Sequence, residues 1–174
     1  LKNKLDIGLA CDCDGDRFGI VDDKGQWVSP NEVLAMVLYH LVKNRGMTGR
    51  VCKSVVTSHL VNLMAKSLGC EVRETPVGFR HVGELMRTGS YVMGGEESGG
   101  LTIRGHIPDK DGILACLLAA ELVASRGRAR LRTLLQELYA EVGSFLTKRA
   151  SYRLEPSTVE TLQARLEQPP GNVA

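Results

Sequence analysis

The chain has 174 residues, 43% of them hydrophobic and 24% charged, which gives room for one medium domain with its own core, or one domain flanked by pieces of its neighbours, but not for two full domains. Its 22 basic and 20 acidic side chains leave a formal charge of +2, too balanced for a dedicated nucleic-acid binder. The sequence holds no run of about 18 apolar residues and no basic segment leading into an apolar one, so neither a membrane span nor a secretion signal is read, and a cytoplasmic enzyme is expected.

The chain starts at Leu1 without a methionine and enters the apolar segment Ile7 to Cys11 almost at once, which reads as a piece of a longer polypeptide. Two short strands are expected, Asp6 to Cys11 and Phe18 to Val21, joined by the acidic loop Asp12 to Arg17 and followed by a turn over Asp22 to Gly25. A helix then opens with Ser29 and Glu32 at capping-box spacing and Pro30 at its first position. Val33, Leu34, Val37, Leu38, Leu41 and Val42 recur at helical spacing until Gly46. Strands are predicted at Val51 to Thr57, Glu71 to Thr75 and Tyr91 to Met93, alternating with helices at Val61 to Leu68, Val82 to Arg87 and Ile113 to Ala124. A further helix covers Leu131 to Val142. This alternation describes βαβ crossovers and a mainly parallel sheet, hence a three-layer α/β/α fold preceded by a short strand-loop-strand piece. Beyond a linker near Gly143 to Ala150, Tyr152 to Leu154 reads as a strand, and Ser157 with Glu160 as a second capping box. Pro169, Pro170 and Gly171 end that last helix.

The five cysteines Cys11, Cys13, Cys52, Cys70 and Cys116 are odd in number and form no CxxC pair, which suggests buried thiols in a reducing compartment rather than a metal or redox pair at Cys11 and Cys13. Arg126, Arg128, Arg130 and Arg132 read as a solvated helix entry in preference to a phosphate patch, and His40 as structural.

Each middle strand runs into a small polar or glycine-rich cluster: Thr57-Ser58-His59, Thr75-Pro76-Val77-Gly78 and Gly94 to Gly100. Loops at the carboxyl ends of parallel strands share one edge, where ligands bind, so the three clusters are expected to face one cleft. Upstream, Asp12, Asp14 and Asp16 alternate. On a straight strand they share a face but sit roughly 7 Å apart, so the segment must curl, with Gly15 supplying the freedom. Three carboxylates without His or Cys suit a hard cation, Mg²⁺ above all, with open positions for a phosphate oxygen. Arg17 offers that phosphate a forked donor. The alternatives are a bare polar turn and a haloacid-dehalogenase-type phosphatase, with Asp12 as nucleophile and Asp14 as acid and base. An EF-hand is excluded, since Gly15 stands fourth where that loop needs glycine sixth. In Gly94-Gly95-Glu96-Glu97-Ser98-Gly99-Gly100, Glu96 with Ser98 reads as a pair for adjacent sugar hydroxyls, the alternative being a flexible turn. His59, Arg80, His81, His106 and Lys110 could each bind phosphate or carry a proton. Lys110 lies at the entrance of a long helix, whose amino end adds to its attraction for phosphate.

At these residues the chain resembles the α-D-phosphohexomutase superfamily, the phosphoglucomutases and phosphomannomutases. The resemblance rests on Asp12-Cys13-Asp14-Gly15-Asp16-Arg17, on Thr75-Pro76-Val77-Gly78-Phe79-Arg80, on Gly95-Glu96-Glu97-Ser98-Gly99-Gly100 and on Lys110-Asp111-Gly112, over roughly Asp6 to Leu122. It implies that residues 1–28 end a second domain, 29–143 form a complete third domain, and 144–174 lead toward a fourth. It implies Mg²⁺ on Asp12, Asp14 and Asp16, Arg17 at a phosphoserine, Thr75 and Gly78 in a substrate-side loop, Glu96 and Ser98 on sugar hydroxyls, and Lys110 on substrate. The position of Arg80 usually carries a lysine considered for acid and base work, and arginine stays protonated, so His81 becomes the candidate proton carrier. The implied reaction interconverts hexose 1-phosphate and hexose 6-phosphate through a hexose 1,6-bisphosphate, glucose being favoured over mannose. The phosphoserine lies outside these residues, and the missing first, second and fourth domains are the implied partners. The piece alone is expected to be inactive. A non-catalytic sugar-phosphate binding domain is the remaining alternative.

Overall fold

The computed structural model describes residues 5–127, 130–148 and 150–166. Strands β1 (Ile7–Cys11), β2 (Phe18–Asp22) and β3 (Trp27–Val28) pair antiparallel in that order, with Cys11 opposite Phe18 and Ile7 opposite Asp22. In β2, Phe18, Ile20 and Asp22 turn inward, the period of two that a half-buried strand requires. The turn expected after it is fixed by Asp22 itself. Its carboxylate accepts from the amides of Lys24 (3.0 Å) and Gln26 (2.8 Å) and from Arg132 Nε (2.9 Å). Burial works to raise this carboxyl, but Arg132 and the two amides outweigh it and hold Asp22 below the ordinary carboxylate value.

Helix α1 (Pro30–Tyr39) begins with the predicted capping box: Ser29 Oγ accepts from Glu32 N at 3.3 Å, and Glu32 Oε2 accepts from Ser29 N at 2.7 Å. The helix does not run regularly to Gly46. It widens into a π-helical turn over His40–Asn44, where His40 is buried beside Asn44 Nδ2 (2.8 Å) and Glu121 Oε1 (3.3 Å), in a structural role.

The second sheet holds β4 (Arg50–Ser54), β5 (Val72–Thr75), β6 (Tyr91–Gly95) and β7 (Leu101–Ile103) in the order β5-β4-β6-β7. β4 is parallel to β5 and β6, whereas β7 returns antiparallel to β6. Helices α2 (His59–Ser67) and α3 (Phe79–Met86) make the crossovers, followed by α4 (Gly112–Ser125) and α5 (Leu131–Val142). Phe79 and Val82 of α3 cover one face through Cys52, while α1, α2, α4 and α5 share a larger core with Val51, Val92 and Met93 on the other. The result is the expected three-layer α/β/α arrangement with a mainly parallel sheet. Helix α4 touches β7 and also β1 and β2, so it joins the two sheets.

Several expectations need correction. β4 stops at Ser54, because the chain closes a turn there (Thr57 N to Ser54 O, 3.0 Å) and leaves the β-branched Val55 and Val56 exposed. Helix α3 begins at Phe79, directly after Gly78 at φ +121°, ahead of the expected Val82. β7 went unpredicted, being three residues joined to β6 by the glycine-rich loop. Cys52, Cys70 and Cys116 are buried, but Cys11, on the edge strand β1, and Cys13, in the acidic loop, are exposed. Tyr152 to Leu154 forms no strand, having no paired neighbour among the described residues. Helix α6 (Pro156–Leu166) starts one residue before Ser157, whose carbonyl accepts from Thr161 Oγ1 (2.9 Å), so Ser157 is not its cap. The stop at Pro169 to Gly171 and Arg128 lie outside the described residues. The other arginines bind carboxylates: Arg126 to Glu137 (2.5 Å), Arg130 to Asp23 (3.1 Å) and Arg132 to Asp22. Among the described residues no helix is long and apolar enough to cross a membrane.

The buried Asp22 to Arg132 contact generates a prediction. Asp22 has a folded pKa below its unfolded one, so its contribution is complete above the unfolded carboxyl's value of about 4 and is lost as pH falls through the lowered value. Asp22→Asn is expected to cost about 2 kcal/mol at pH 7 and to lose less stability than the parent between pH 5 and 3, as read by urea titrations.

Candidate functional site

The acidic loop spans β1 and β2, whose last and first residues face each other, so its backbone must fold back within a few residues. Gly15 at φ +72° makes this possible, with its N–H donating to Asp12 O at 3.1 Å. Carboxylate oxygens of Asp12, Asp14 and Asp16 thereby lie within 4.8 Å of one another. Two backbone contacts seat the loop against the second sheet: Gly112 N donates to Gly15 O (2.9 Å) and Phe18 N to Gly99 O (3.2 Å). A Cβ at Gly112 would stand 2.4 Å from Arg17 O, so glycine at the head of α4 is what allows this approach.

Two of the three carboxylates, Asp12 and Asp16, meet a cationic side chain. Arg17 reaches Asp12 twice, its backbone N to Oδ1 at 3.1 Å and its Nε to Oδ2 at 2.6 Å. The amide first, then the guanidinium, holds the Asp12 carboxyl below its ordinary value. Lys110 Nζ lies 2.5 Å from Asp16 Oδ2. Asp16 Oδ1 is buried and makes no hydrogen bond, though Arg17 Nε is 3.4 Å away. Asp14 is exposed. An all-oxygen donor set with an unshared buried oxygen fits a hard divalent cation, Mg²⁺ included, and the residues that would hold it are Asp12, Asp14 and Asp16.

The glycine-rich loop closes on itself, with Glu96 N donating to Gly100 O (2.9 Å) and Gly99 N to Glu96 O (3.1 Å). Its two acids part company. Buried Glu96 accepts from Gly78 N through Oε1 at 2.9 Å, which ties this loop to the end of β5, whereas Glu97 turns to Ser54 and Thr57 at the end of β4. The three strand-end clusters therefore meet, but they line separate clefts and not the one expected. Ser98 lines a cleft of about 380 Å³ with Asp12 and Arg17. Arg80, Gly78 and Lys110 line another of about 400 Å³ with Arg87, a concentration of positive charge. His81, third residue of α3, is not among that lining, and His59 is exposed at the start of α2. The Thr75 hydroxyl faces Pro76 O (3.0 Å) and Lys53 O (3.3 Å) and is buried. His106 Nε2 is 2.8 Å from Asp111 Oδ2, the cap of α4. Burial works to raise Asp111, and the Leu114 amide with His106 outweighs it, leaving that carboxyl lowered. At the end of β1, Cys11 Sγ lies 3.9 Å from Cys116 Sγ, and burial pushes the Cys116 thiol up to about 11.

Sequence reasoning missed Lys53, a lysine 1% exposed within β4, and the inward turn of Glu97. A lysine inside the otherwise apolar and β-branched run Val51 to Val56 is the signal that could have found the first. Nothing local distinguishes Glu97 from Glu96.

A family model described as phosphoglucomutase/phosphomannomutase, alpha/beta/alpha domain III, matches residues 29–142. A phosphoglucomutase of Komagataeibacter xylinus is 39% identical over 136 residues, 74% of this chain and 24% of the relative. A phosphoglucosamine mutase of Zymomonas mobilis is 37% identical over 131 residues, 74% of this chain and 29% of the relative. Among solved structures, a putative phosphomannomutase from Thermus thermophilus superposes with a TM-score of 0.73 at 37% identity, covering 79% of this chain and 31% of that one. The open form of parafusin, a phosphoglucomutase from Paramecium, gives 0.70 at 29% identity, covering 80% and 25%. The chain belongs to the phosphoglucomutase/phosphomannomutase family and carries its α/β/α domain III. It spans about a quarter to a third of the length of these relatives.

The close approach at Gly112 is testable. Gly112→Ala is expected to cost about 1 to 3 kcal/mol, on the order of an overpacked core site, and to weaken Mg²⁺ or Mn²⁺ binding measured by calorimetry, because the methyl group displaces the acidic loop.

Proposed function

We propose that these residues are part of a Mg²⁺-dependent phosphohexomutase that interconverts hexose 1-phosphate and hexose 6-phosphate, with glucose favoured and mannose possible. The observation that carries this reading is the single cleft in which Ser98 of the glycine-rich loop meets Asp12 and Arg17 of the acidic loop. A cation-holding loop and a hydroxyl-reading loop side by side are what a phosphorylated sugar requires. Mg²⁺ supplies charge neutralisation at the transferring phosphoryl group.

Asp12, Asp14 and Asp16 would hold that ion, and Arg17 binds the phosphoryl oxygens. Glu96 keeps one oxygen on Gly78 and has the other for a sugar hydroxyl, with Ser98 as the second contact. Thr75 shapes the Gly78 turn from beneath. Arg80 and Lys110 bind phosphate at the charged cleft, and His81 carries the proton that a permanently charged Arg80 cannot release. A phosphoserine outside these residues gives its phosphoryl group to a sugar hydroxyl, forming hexose 1,6-bisphosphate, and takes the other one back. Residues 1–28 then close a second domain, 29–143 form the third and 144–174 lead toward a fourth, in a cytoplasmic protein whose other domains complete the site. These residues alone are inactive. The phosphatase alternative draws no support from the relatives, which are mutases by name.

The test uses the full-length polypeptide with Mg²⁺, glucose 1-phosphate and a trace of glucose 1,6-bisphosphate. Glucose 6-phosphate is expected without free phosphate, and Asp14→Asn should lower turnover at least about 100-fold, the effect of removing a principal charge-stabilising group. Release of inorganic phosphate instead, or full activity in Asp14→Asn, contradicts the reading.

A further inference from the structure

Lys53 is the least expected side chain in the core. It is 1% exposed, yet it carries an ammonium group that the proposed chemistry does not use. Its Nζ donates to Thr57 O at 2.9 Å, lies 3.5 Å from Ser54 O, and pairs with Glu74 Oε1 at 2.9 Å. The hydrogen bond from Lys53 is the main reason that the Glu74 carboxyl lies below its ordinary value. A buried charge is tolerated only when it is paired and hydrogen-bonded, and here the partners are the β5 carboxylate and the carbonyls of the turn that ends β4. Lys53 therefore clasps the Ser54 to Thr57 turn from beneath.

Above it, the same turn holds the glycine-rich loop through a closed ring. Glu97 N–H donates to Thr57 Oγ1 (3.2 Å), Thr57 Oγ1 and Ser54 Oγ are 2.8 Å apart, and Ser54 Oγ donates to Glu97 Oε2 (3.1 Å). Each hydroxyl has one proton, and an ionised carboxylate only accepts. Ser54 must then spend its proton on Glu97, so the 2.8 Å contact carries the Thr57 proton to Ser54, and every donor in the ring points one way. Both hydroxyl residues are buried, so water does not compete for the ring. Glu97 is thereby turned away from the acidic-loop cleft. Because Glu96 N to Gly100 O and Gly99 N to Glu96 O close the loop tightly, a rotation that frees Glu97 also rotates Glu96 and Ser98.

We propose that Lys53, Ser54 and Thr57 are positioning residues of the sugar-binding loop, holding Glu97 as an internal anchor so that Glu96 and Ser98 are presented to the hexose. This rests on the reading of Glu96 and Ser98 as hydroxyl ligands. Glu97 is an anchor and not a ligand.

The experiment compares Thr57→Val, Thr57→Ser, Lys53→Met and Glu97→Ala with the parent in the full-length polypeptide, measuring kcat and KM for glucose 1-phosphate and the Mg²⁺ concentration for half-maximal rate. Thr57→Val and Glu97→Ala are expected to raise KM about tenfold while leaving the Mg²⁺ requirement within about twofold, because the ring touches the sugar loop and not the acidic one. Thr57→Ser should restore KM to within about twofold, and Lys53→Met should raise it in the folded protein, where a purely structural lysine would lower Tm alone. If Thr57→Val does not fold, Glu97→Ala, which removes only a half-buried side chain, carries the same expectation. An unchanged KM in folded Thr57→Val or Glu97→Ala overturns the positioning role while leaving the mutase reading intact. A parent that converts no hexose phosphate overturns that reading and this inference with it.

Discussion

Three carboxylates on one short turn repel each other, and the arrangement of this molecule follows from how that repulsion is contained. Arg17 grips Asp12 with backbone and side chain, and Lys110 reaches across from the head of α4 to Asp16. The Lys110 contact requires that the turn be pressed against the neighbouring sheet. The seat is made by carbonyl and amide groups of Gly15, Gly99 and Gly112, and at Gly112 and Gly99 there is no room for a side chain at the point of contact. The same backbone contacts that fold the loop thus also deliver its counter-charges.

The second sheet explains why the remaining groups arrive at the same place. Parallel strands β4, β5 and β6 end together, so the Ser54 turn, the Gly78 turn and the Glu96 loop are neighbours by topology. β7 starts at that edge and runs away from it, and residues 104–110 bring the chain back, so that Asp111 N donates to Leu101 O (3.1 Å) next to Lys110. Side chains finish what topology begins: Glu96 bridges to Gly78, and Glu97 bridges to β4. Two adjacent glutamates therefore do opposite jobs, one buried on the β5 turn and one on the β4 turn.

Much of this was legible in the sequence. The capping box at Ser29 and Glu32, the helix stops at glycine and the convergence of three strand-end loops are local or topological, and each follows from spacing alone. The need for Asp12 to Arg17 to curl followed from electrostatics and the presence of Gly15. What escaped depended on long-range contact. Val55 and Val56 have strand propensity, and Val55 N still donates to Thr75 O (2.9 Å), but Thr57 and Ser54 close a turn that ends the strand. β7 is too short for a periodic signal. The place of Lys53 within a buried strand left a trace in the sequence, but its partner Glu74 belongs to another strand and could not be read from it, and the exposure of Cys11 depended on β1 lying at a sheet edge.

The seam between the two sheets also bears on the order in which the chain folds. β4, α2, β5, α3 and β6 join through short crossovers, so their contacts close small loops. By contrast Cys116 Sγ on α4 donates to Ala10 O at the foot of the acidic loop across 106 residues of sequence. Contacts of such separation carry the larger loop-closure entropy and form late. The acidic loop is consequently among the last parts to be completed, and a cation that recognises only its finished shape draws the whole chain toward the native state by mass action. A divalent cation held there would then act on folding, and the half-assembled chain is the species its absence would leave behind.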